Sequence, residues 1–249
     1  MSGRELAGRY ELKYFLPFDL VSVVRRWATP YVEPDPHAKL DSEGIPRYTI
    51  RSVYLDSREL RFYYEKMEGA LNRRKFRIRA YTRPTARDSV FLEIKYRDNT
   101  QVSKDRTKLT LEYAEALLDR QVQLGELDLP FVERKSAERF VYYCRLLDLQ
   151  PVVTVTYDRT AYVGRTDDTV RFTIDVNLRL EDQRNTERLF DARPEEPVPL
   201  PGAILELKFN RLMPEWMRQL VSRFDIAQES ISKYSNCVDA AVFREYMMS

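Results

Sequence analysis

Segments in which charged residues alternate one-for-one with apolar ones dominate this chain and constrain its fold more than any other feature. Arg73, Lys75, Arg77 and Arg79 alternate with Arg74, Phe76, Ile78 and Ala80, and Glu93, Lys95 and Arg97 oppose Leu92, Ile94 and Tyr96. Glu11 and Lys13 oppose Tyr10, Leu12 and Tyr14; Arg171, Thr173, Asp175, Asn177 and Arg179 oppose Phe172, Ile174, Val176 and Leu178. A period of two sends successive side chains to opposite faces of a strand, so each segment carries one apolar and one charged face. Further strands are expected over Tyr48–Asp56, Gln101–Lys108, Pro151–Val163 and Ala203–Phe209, with Asp98-Asn99 as a hairpin turn. Helices are expected over Pro17–Ala28, Ser57–Lys66 (capped by Asp56 or Ser57), Leu109–Arg120, Pro130–Leu149 and Trp216–Phe224, with a short helical tail at the end. Thr29–Pro46 and Arg184–Gly202 are Pro-rich and read as loops. Neither an internal repeat nor a linker divides the chain, so residues 1–249 read as one domain.

A half-buried sheet also shows a charged face when that face meets water. Here the charge is unusually rich in Arg and recurs on five strands. Between Arg73 and Lys108, twelve Lys or Arg stand against four acids, although the net charge of the whole chain is only +2. Arg is favoured where planar, bidentate contacts to phosphate or carboxylate are made. The alternative to a solvated face is a sheet closed with its charged faces inward and its apolar outer face covered by the amphipathic helices. Cations confined in such an interior repel one another. Glu11, Glu93, Asp175 and Glu206 would offset part of that repulsion, and a bound polyanion the rest.

Several chemistries are disfavoured. His37 is the only histidine and lies in a Pro-rich loop, while Cys144 and Cys237 form no metal or disulfide pattern, so zinc sites and His-based catalysis are not expected. None of the seven glycines builds a P-loop or dinucleotide fingerprint, which leaves side chains to hold any phosphate. On the basic strands Phe76 and Tyr96 fall on the face opposite the charges, whereas nucleic-acid stacking needs both together, so no nucleic-acid partner is expected. No signal peptide or membrane span is evident, and the expected location is cytoplasmic.

Seven pieces in order carry a family resemblance: Arg9-x-Glu11-x-Lys13-Tyr14, Ser52-Val-Tyr54-Leu-Asp56, Glu68-Gly69, Lys75-x-Arg77-x-Arg79-x-Tyr81, Glu93-Ile-Lys95, Leu205-Glu206-x-Lys208-Phe209 and Ser230-Ile-Ser-Lys233-Tyr234-Ser235. Together, from Arg9 to Tyr234, they resemble the VTC (vacuolar transporter chaperone) domain of the triphosphate-tunnel superfamily, which also holds the CYTH proteins. The resemblance implies an α+β fold: a closed antiparallel β-barrel, the triphosphate tunnel, with helices packed outside. It also implies a metal-dependent polymerase that makes polyphosphate from ATP. Tunnel-lining residues would be Lys13, Arg77, Arg79, Lys95, Lys104, Arg159, Arg171 and Lys233, joined by Lys75 and Lys208 on the same strands. Lys13, Arg77, Arg79 and Lys233 are the implied catalytic set, and Glu206 the implied ligand of Mn²⁺ or Mg²⁺. Arg9 stands where CYTH enzymes carry a glutamate, which favours the VTC branch. Many relatives carry membrane spans, so a membrane-protein partner is compatible with the resemblance.

The residues themselves leave three readings open. Phosphoryl transfer mainly needs positioning and neutralised charge, and an ionised phosphate chain end can attack without a general base. A triphosphatase or polyphosphatase would need an oriented water, for which Glu11 or Glu93 could serve. A non-catalytic polyphosphate or inositol-phosphate binder would use the same cations. Glu206 could equally be no more than the ion-pair partner of Lys208.

Overall fold

A computed structural model describes residues 9–81, 83–99, 101–119, 123, 125, 129–184, 186, 188–191 and 193–248. Its strands are β1 (Arg9–Leu16), β2 (Val32–Pro34), β3 (Lys39–Leu40), β4 (Pro46–Asp56), β5 (Asn72–Ala80), β6 (Ser89–Asp98), β7 (Gln101–Thr110), β8 (Gln150–Gly164), β9 (Arg171–Asp182), β10 (Glu196–Pro197) and β11 (Ala203–Asn210). The helices are α1 (Val21–Ala28), α2 (Arg61–Met67), α3 (Leu111–Leu118), α4 (Phe131–Leu146), α5 (Glu215–Arg223) and α6 (Lys233–Met248), with a 3-10 turn at Phe18–Leu20. The loops expected at Thr29–Pro46 and Arg184–Gly202 hold the short strands β2, β3 and β10, and Arg120 lies outside the described residues.

The long strands form one antiparallel sheet in the order β1-β11-β9-β8-β4-β5-β6-β7. Its ends curl towards each other, so that Cα atoms of β1 and β7 come within 8 Å. No ladder joins them among the described residues, so the expected closed barrel is, by hydrogen bonding, an open one with a seam. Part of the free β1 edge is occupied from another direction: Gln228 bridges Tyr14, and the Glu229 N–H donates to the Lys13 carbonyl at 2.8 Å.

The apolar faces of the alternating strands are covered from outside, as their period requires. Phe76, Ile78, Leu92 and Ile94 pack under Ala114 and Leu117 of α3 and Phe140 and Val141 of α4. Phe172, Ile174, Leu205 and Leu207 pack under Val24 of α1 and Met217 and Leu220 of α5. Each such buried aliphatic or aromatic side chain contributes roughly 1.5–3 kcal/mol, which fixes strand register, because a one-residue slip would invert both faces. The cap expected at Asp56 or Ser57 is displaced: α2 begins at Arg61 with Leu60 (φ 55°) at the N-cap position, and the Asp56 carboxylate accepts the N–H groups of Phe62 and Tyr63 from outside the helix.

Two departures matter for the site. In β9 the register shifts against β8, with Asn177 in the left-handed region at φ 53°. This bulge reverses the alternation, so Leu178 and Leu180 join the interior and Arg179 is turned away from it, pairing with Asp158 and Glu195. The second departure is the C-terminal segment. Lys233 opens the 16-residue α6 instead of following the last helix. That helix packs Tyr234, Cys237 and Val238 against Ile50, Val155 and Leu180 in a third core cluster. No described helix is long and apolar enough to cross a membrane.

Candidate functional site

A cavity of about 400 Å³ opens on the concave face of the sheet. Eleven Lys and Arg and three carboxylates line it. Of the residues expected there, Lys13, Lys75, Arg77, Arg79, Lys95, Arg159, Lys208, Lys233 and Glu206 are all in its wall. Two others are placed elsewhere. Lys104 faces Lys95 across β6 and β7 but lies exposed beyond the lining. Arg171 faces Lys208 across the ladder, yet its guanidinium donates to the carbonyls of Asp168 and Val170 in the adjoining loop.

Strand pairing assembles the set. β5 carries Arg73, Lys75, Arg77 and Arg79 on one face, spaced about 7 Å apart by the strand repeat. Pairing with β6 sets Lys75 opposite Lys95 and Arg73 opposite Arg97. Like charges directly opposite one another destabilise a sheet. β1, β11 and β9 supply the other wall, where Lys13 faces Glu206 and Asp175 faces Arg159.

The carboxylates hold only part of this charge. Glu206, 4 % exposed, accepts from Lys233 at 2.9 Å and Arg159 at 3.0 Å and pairs with Lys208 at 2.9 Å and Lys13 at 3.5 Å. Asp175 binds Arg159 through two bonds of 2.6 and 2.7 Å and Lys233 at 2.5 Å. Glu93 pairs with Arg77 at 2.7 Å and Arg106 at 3.2 Å, and Glu11 with Lys95 at 2.7 Å. Burial works to raise the carboxyls of Glu11 and Glu206. The ammonium and guanidinium groups around them outweigh it and hold both well below the usual carboxylate range. Glu93 is depressed in the same way by Arg77 and Arg79, again against burial. Glu11, Glu93 and Glu206 are therefore ionised.

Towards the end of the cavity formed by the start of β5, the compensation stops. Lys66, Arg73, Lys75 and Arg97 have no carboxylate within 4 Å among the described residues. Burial, and then the charges of Lys13, Lys95, Arg73 and Lys66, push the Lys75 ammonium well below its ordinary value. Among the described residues it donates one hydrogen bond, to Ser232 Oγ at 2.5 Å. Ser232 is also the N-cap of α6, accepting from the Ser235 N–H at 3.1 Å. The positive end of the helix dipole thus points into the same cavity. Lys95 is lowered to about 7, chiefly by burial, with Glu11 opposing and Lys13 and Lys208 adding to the shift.

Sequence reasoning missed several wall residues. Arg73 and Arg97 share the phase of Lys75 and Lys95, and that phase was the available signal. Lys66 reaches the cavity from α2, and nothing in its local pattern marks it. Tyr54 and Tyr157 also line the wall: Tyr54 OH accepts from Arg77 at 3.0 Å, and Lys233 Nζ lies 4.6 Å from the Tyr157 ring centre. Burial works to raise the Tyr157 phenol, but Arg159, Arg79 and Lys233 leave it lowered overall.

The donor set also limits how a metal can be held. No group of three or more His, Cys, Asp or Glu is positioned to hold an ion among the described residues. Glu206 and Glu11 can offer oxygens to a hard divalent cation only if phosphate oxygens and water complete its shell. Mg²⁺ commonly binds in that way. The residues fit a metal carried on a phosphate chain and do not fit a protein cage.

Subunit 4 of the vacuolar transporter chaperone complex from Trypanosoma brucei brucei is 25 % identical over 94 % of the chain, and its counterpart from Schizosaccharomyces pombe 29 % over 76 %. The chain spans only about a third of these relatives' length, 34 % and 31 %. Among solved structures, the PH1819 protein of Pyrococcus horikoshii aligns over 93 % of this chain and 99 % of its own, at 10 % identity and a TM-score of 0.45. HpAC1 from Hippeastrum, with a dominant triphosphatase activity, aligns over 95 % and 94 %, at 12 % identity and 0.43. The family model of the VTC domain matches residues 8–242, and the chain belongs to that family.

Proposed function

We propose that this chain, acting as a single domain, is a polyphosphate polymerase that transfers the γ-phosphoryl group of ATP to the end of a polyphosphate chain held in the cavity. The observation that carries the reading is the incomplete charge balance: eleven cations line the cavity, and four of them have no carboxylate within 4 Å among the described residues, even though Glu11, Glu93, Asp175 and Glu206 engage the others. A polyanion supplies the missing charge. Arg77, Arg79, Lys13 and Lys233 position the donor phosphates, and Lys75, Lys95, Arg159 and Lys208 hold the remainder. In the transfer, a terminal phosphate oxygen bonds to the γ-phosphorus, the bond from that phosphorus to the β–γ bridging oxygen breaks, and ADP leaves. The attacking oxygen is already ionised near neutral pH and needs no base.

Glu206 and Glu11 would hold Mn²⁺ or Mg²⁺ brought in with the phosphates; when bound, the ion neutralises charge on the transferring group. The acids that could activate water argue against a triphosphatase. Glu11 and Glu93 are engaged by cations and held well below their usual range, which makes them weak bases at neutral pH. We place the domain in the cytoplasm, where ATP is supplied, and expect a membrane-bound partner, in line with relatives that are subunits of a transporter chaperone complex. Incubation with ATP and Mn²⁺ tests the reaction. ADP with polyphosphate is the expected product, and orthophosphate alone would make the protein a hydrolase.

A further inference from the structure

The unpaired cations do not end where the cavity does. Arg73, Arg97 and Val102 also line a second cavity, of about 570 Å³, which wraps over the rim of the sheet between α2, α4 and the β6–β7 hairpin. Arg61 from α2 and Arg74 from the outer face of β5 complete its cationic side, against Glu65 and Asp98 as its only acids among the described residues. Part of this charge is already engaged: Arg61 pairs with Glu65 at 3.1 Å, and Arg74 lies 4.8 Å above the Tyr143 ring. Arg73 and Arg97 face each other across the ladder with no carboxylate within 4 Å among the described residues. Burial, then Arg97, lowers the Arg73 guanidinium, with Glu65 opposing.

We propose that this rim cavity is a second anion station, continuous with the first, which holds the stretch of a long polyphosphate chain lying outside the tunnel. The inference rests on the polyphosphate reading above and adds a residue set and a dependence on chain length. From Arg79 to Arg73 the cations of β5 step about 7 Å at a time towards this rim. Only the inner two have Glu93 as a partner. A chain leaving the cavity at that end meets Arg73 and Arg97 first, then Arg74 and Arg61. A triphosphate seated among Lys13, Arg77 and Arg159 is too short to reach the outer pair.

The test is equilibrium binding of two probes, tripolyphosphate and a polyphosphate of several tens of residues, to the wild type, to Arg61→Gln/Arg74→Gln and to Arg73→Gln/Arg97→Gln. Arg61 and Arg74 are exposed, so the first double variant leaves the core intact. Long-chain affinity falls roughly tenfold in each double variant, and its salt dependence flattens, while tripolyphosphate binding to Arg61→Gln/Arg74→Gln stays within about twofold. Unchanged long-chain binding in both variants overturns the station, and so does an equal loss for both probes in Arg61→Gln/Arg74→Gln. Because the readout is binding, failure of the wild type to make polyphosphate from ATP would count against the polymerase alone. Failure of the wild type to bind either probe would overturn both readings.

Discussion

Replacing Lys75 with Met separates what the cavity needs for stability from what it needs for a ligand. The Lys75 ammonium is half-buried, faces Lys95 across the ladder, has no carboxylate within 4 Å among the described residues, and is held by one hydrogen bond to Ser232. Met keeps most of the stem and removes the charge. Exchanging buried ionic groups for apolar ones of similar volume is often stabilising by about 1–4 kcal/mol, and a half-buried group belongs at the lower end, about 1 kcal/mol. For a chain of this size that raises Tm by about 2–4 °C. Because burial and like charges depress the Lys75 pKa, the unfolded chain binds more protons above the folded value. The free wild type therefore gains stability from this group as pH rises towards the unfolded lysine value near ~10.4, and the variant does not. With ligand the order changes. Loss of one charge-assisted contact, about 1.5 kcal/mol, weakens tripolyphosphate binding roughly tenfold. Ligand stabilisation at 100 times the wild-type Kd is about 2.7 kcal/mol, so a tenfold weaker variant gives up about half of it, cancelling its advantage. Thermal unfolding with and without tripolyphosphate reads both effects. A variant less stable than wild type when free, or equally stabilised by ligand, would refute the reasoning.

Glu206→Gln should behave in the opposite sense: four cations lose their shared acid, so stability drops by about 3–5 kcal/mol, seen as a lower urea midpoint partly restored by tripolyphosphate. A fully stable variant would show that Glu206 does not balance those charges. Lys95, lowered to about 7 chiefly by burial, loses charge as pH rises through that value. Tripolyphosphate affinity should therefore fall between pH ~6 and ~8 with proton uptake on binding, and titration calorimetry in buffers of different ionisation enthalpy checks this. Truncation before Ser230 removes Tyr234, 2 % exposed, together with Cys237 and Val238 from the third core. The truncated chain should fail to unfold cooperatively, and a sharp wild-type-like transition would contradict the packing role of α6.

The alternating strands were legible because each has helices on one face and the cavity on the other, so burial and charge repeat with the same period. Glu93 and Lys95 could be assigned to the interior from that phase alone. Asn177 defeated the same logic: the letters go on alternating through Arg179, but a left-handed residue inserts a bulge, and the side chains after it change faces. The seam between β1 and β7 was also hidden, since alternation fixes faces and says nothing of how sheet edges meet. Glu206 was read as a metal ligand from its motif. Of its four cationic neighbours only Lys208 shares its strand; Lys13, Arg159 and Lys233 come from β1, β8 and α6, and no local pattern could show that both its oxygens are engaged. Lys66 and the N-terminus of α6 reach the cavity through tertiary packing, which leaves no periodic trace.

The central claim is that the unpaired cations of β5 and β6 hold a phosphate chain on the concave face of the sheet. A crystal structure of the protein with tripolyphosphate tests it most directly. The account predicts phosphate density along the β5 ladder, within hydrogen-bonding reach of Lys75, Arg77 and Lys233. Density confined to the outer surface, with the cavity holding only water, would contradict it.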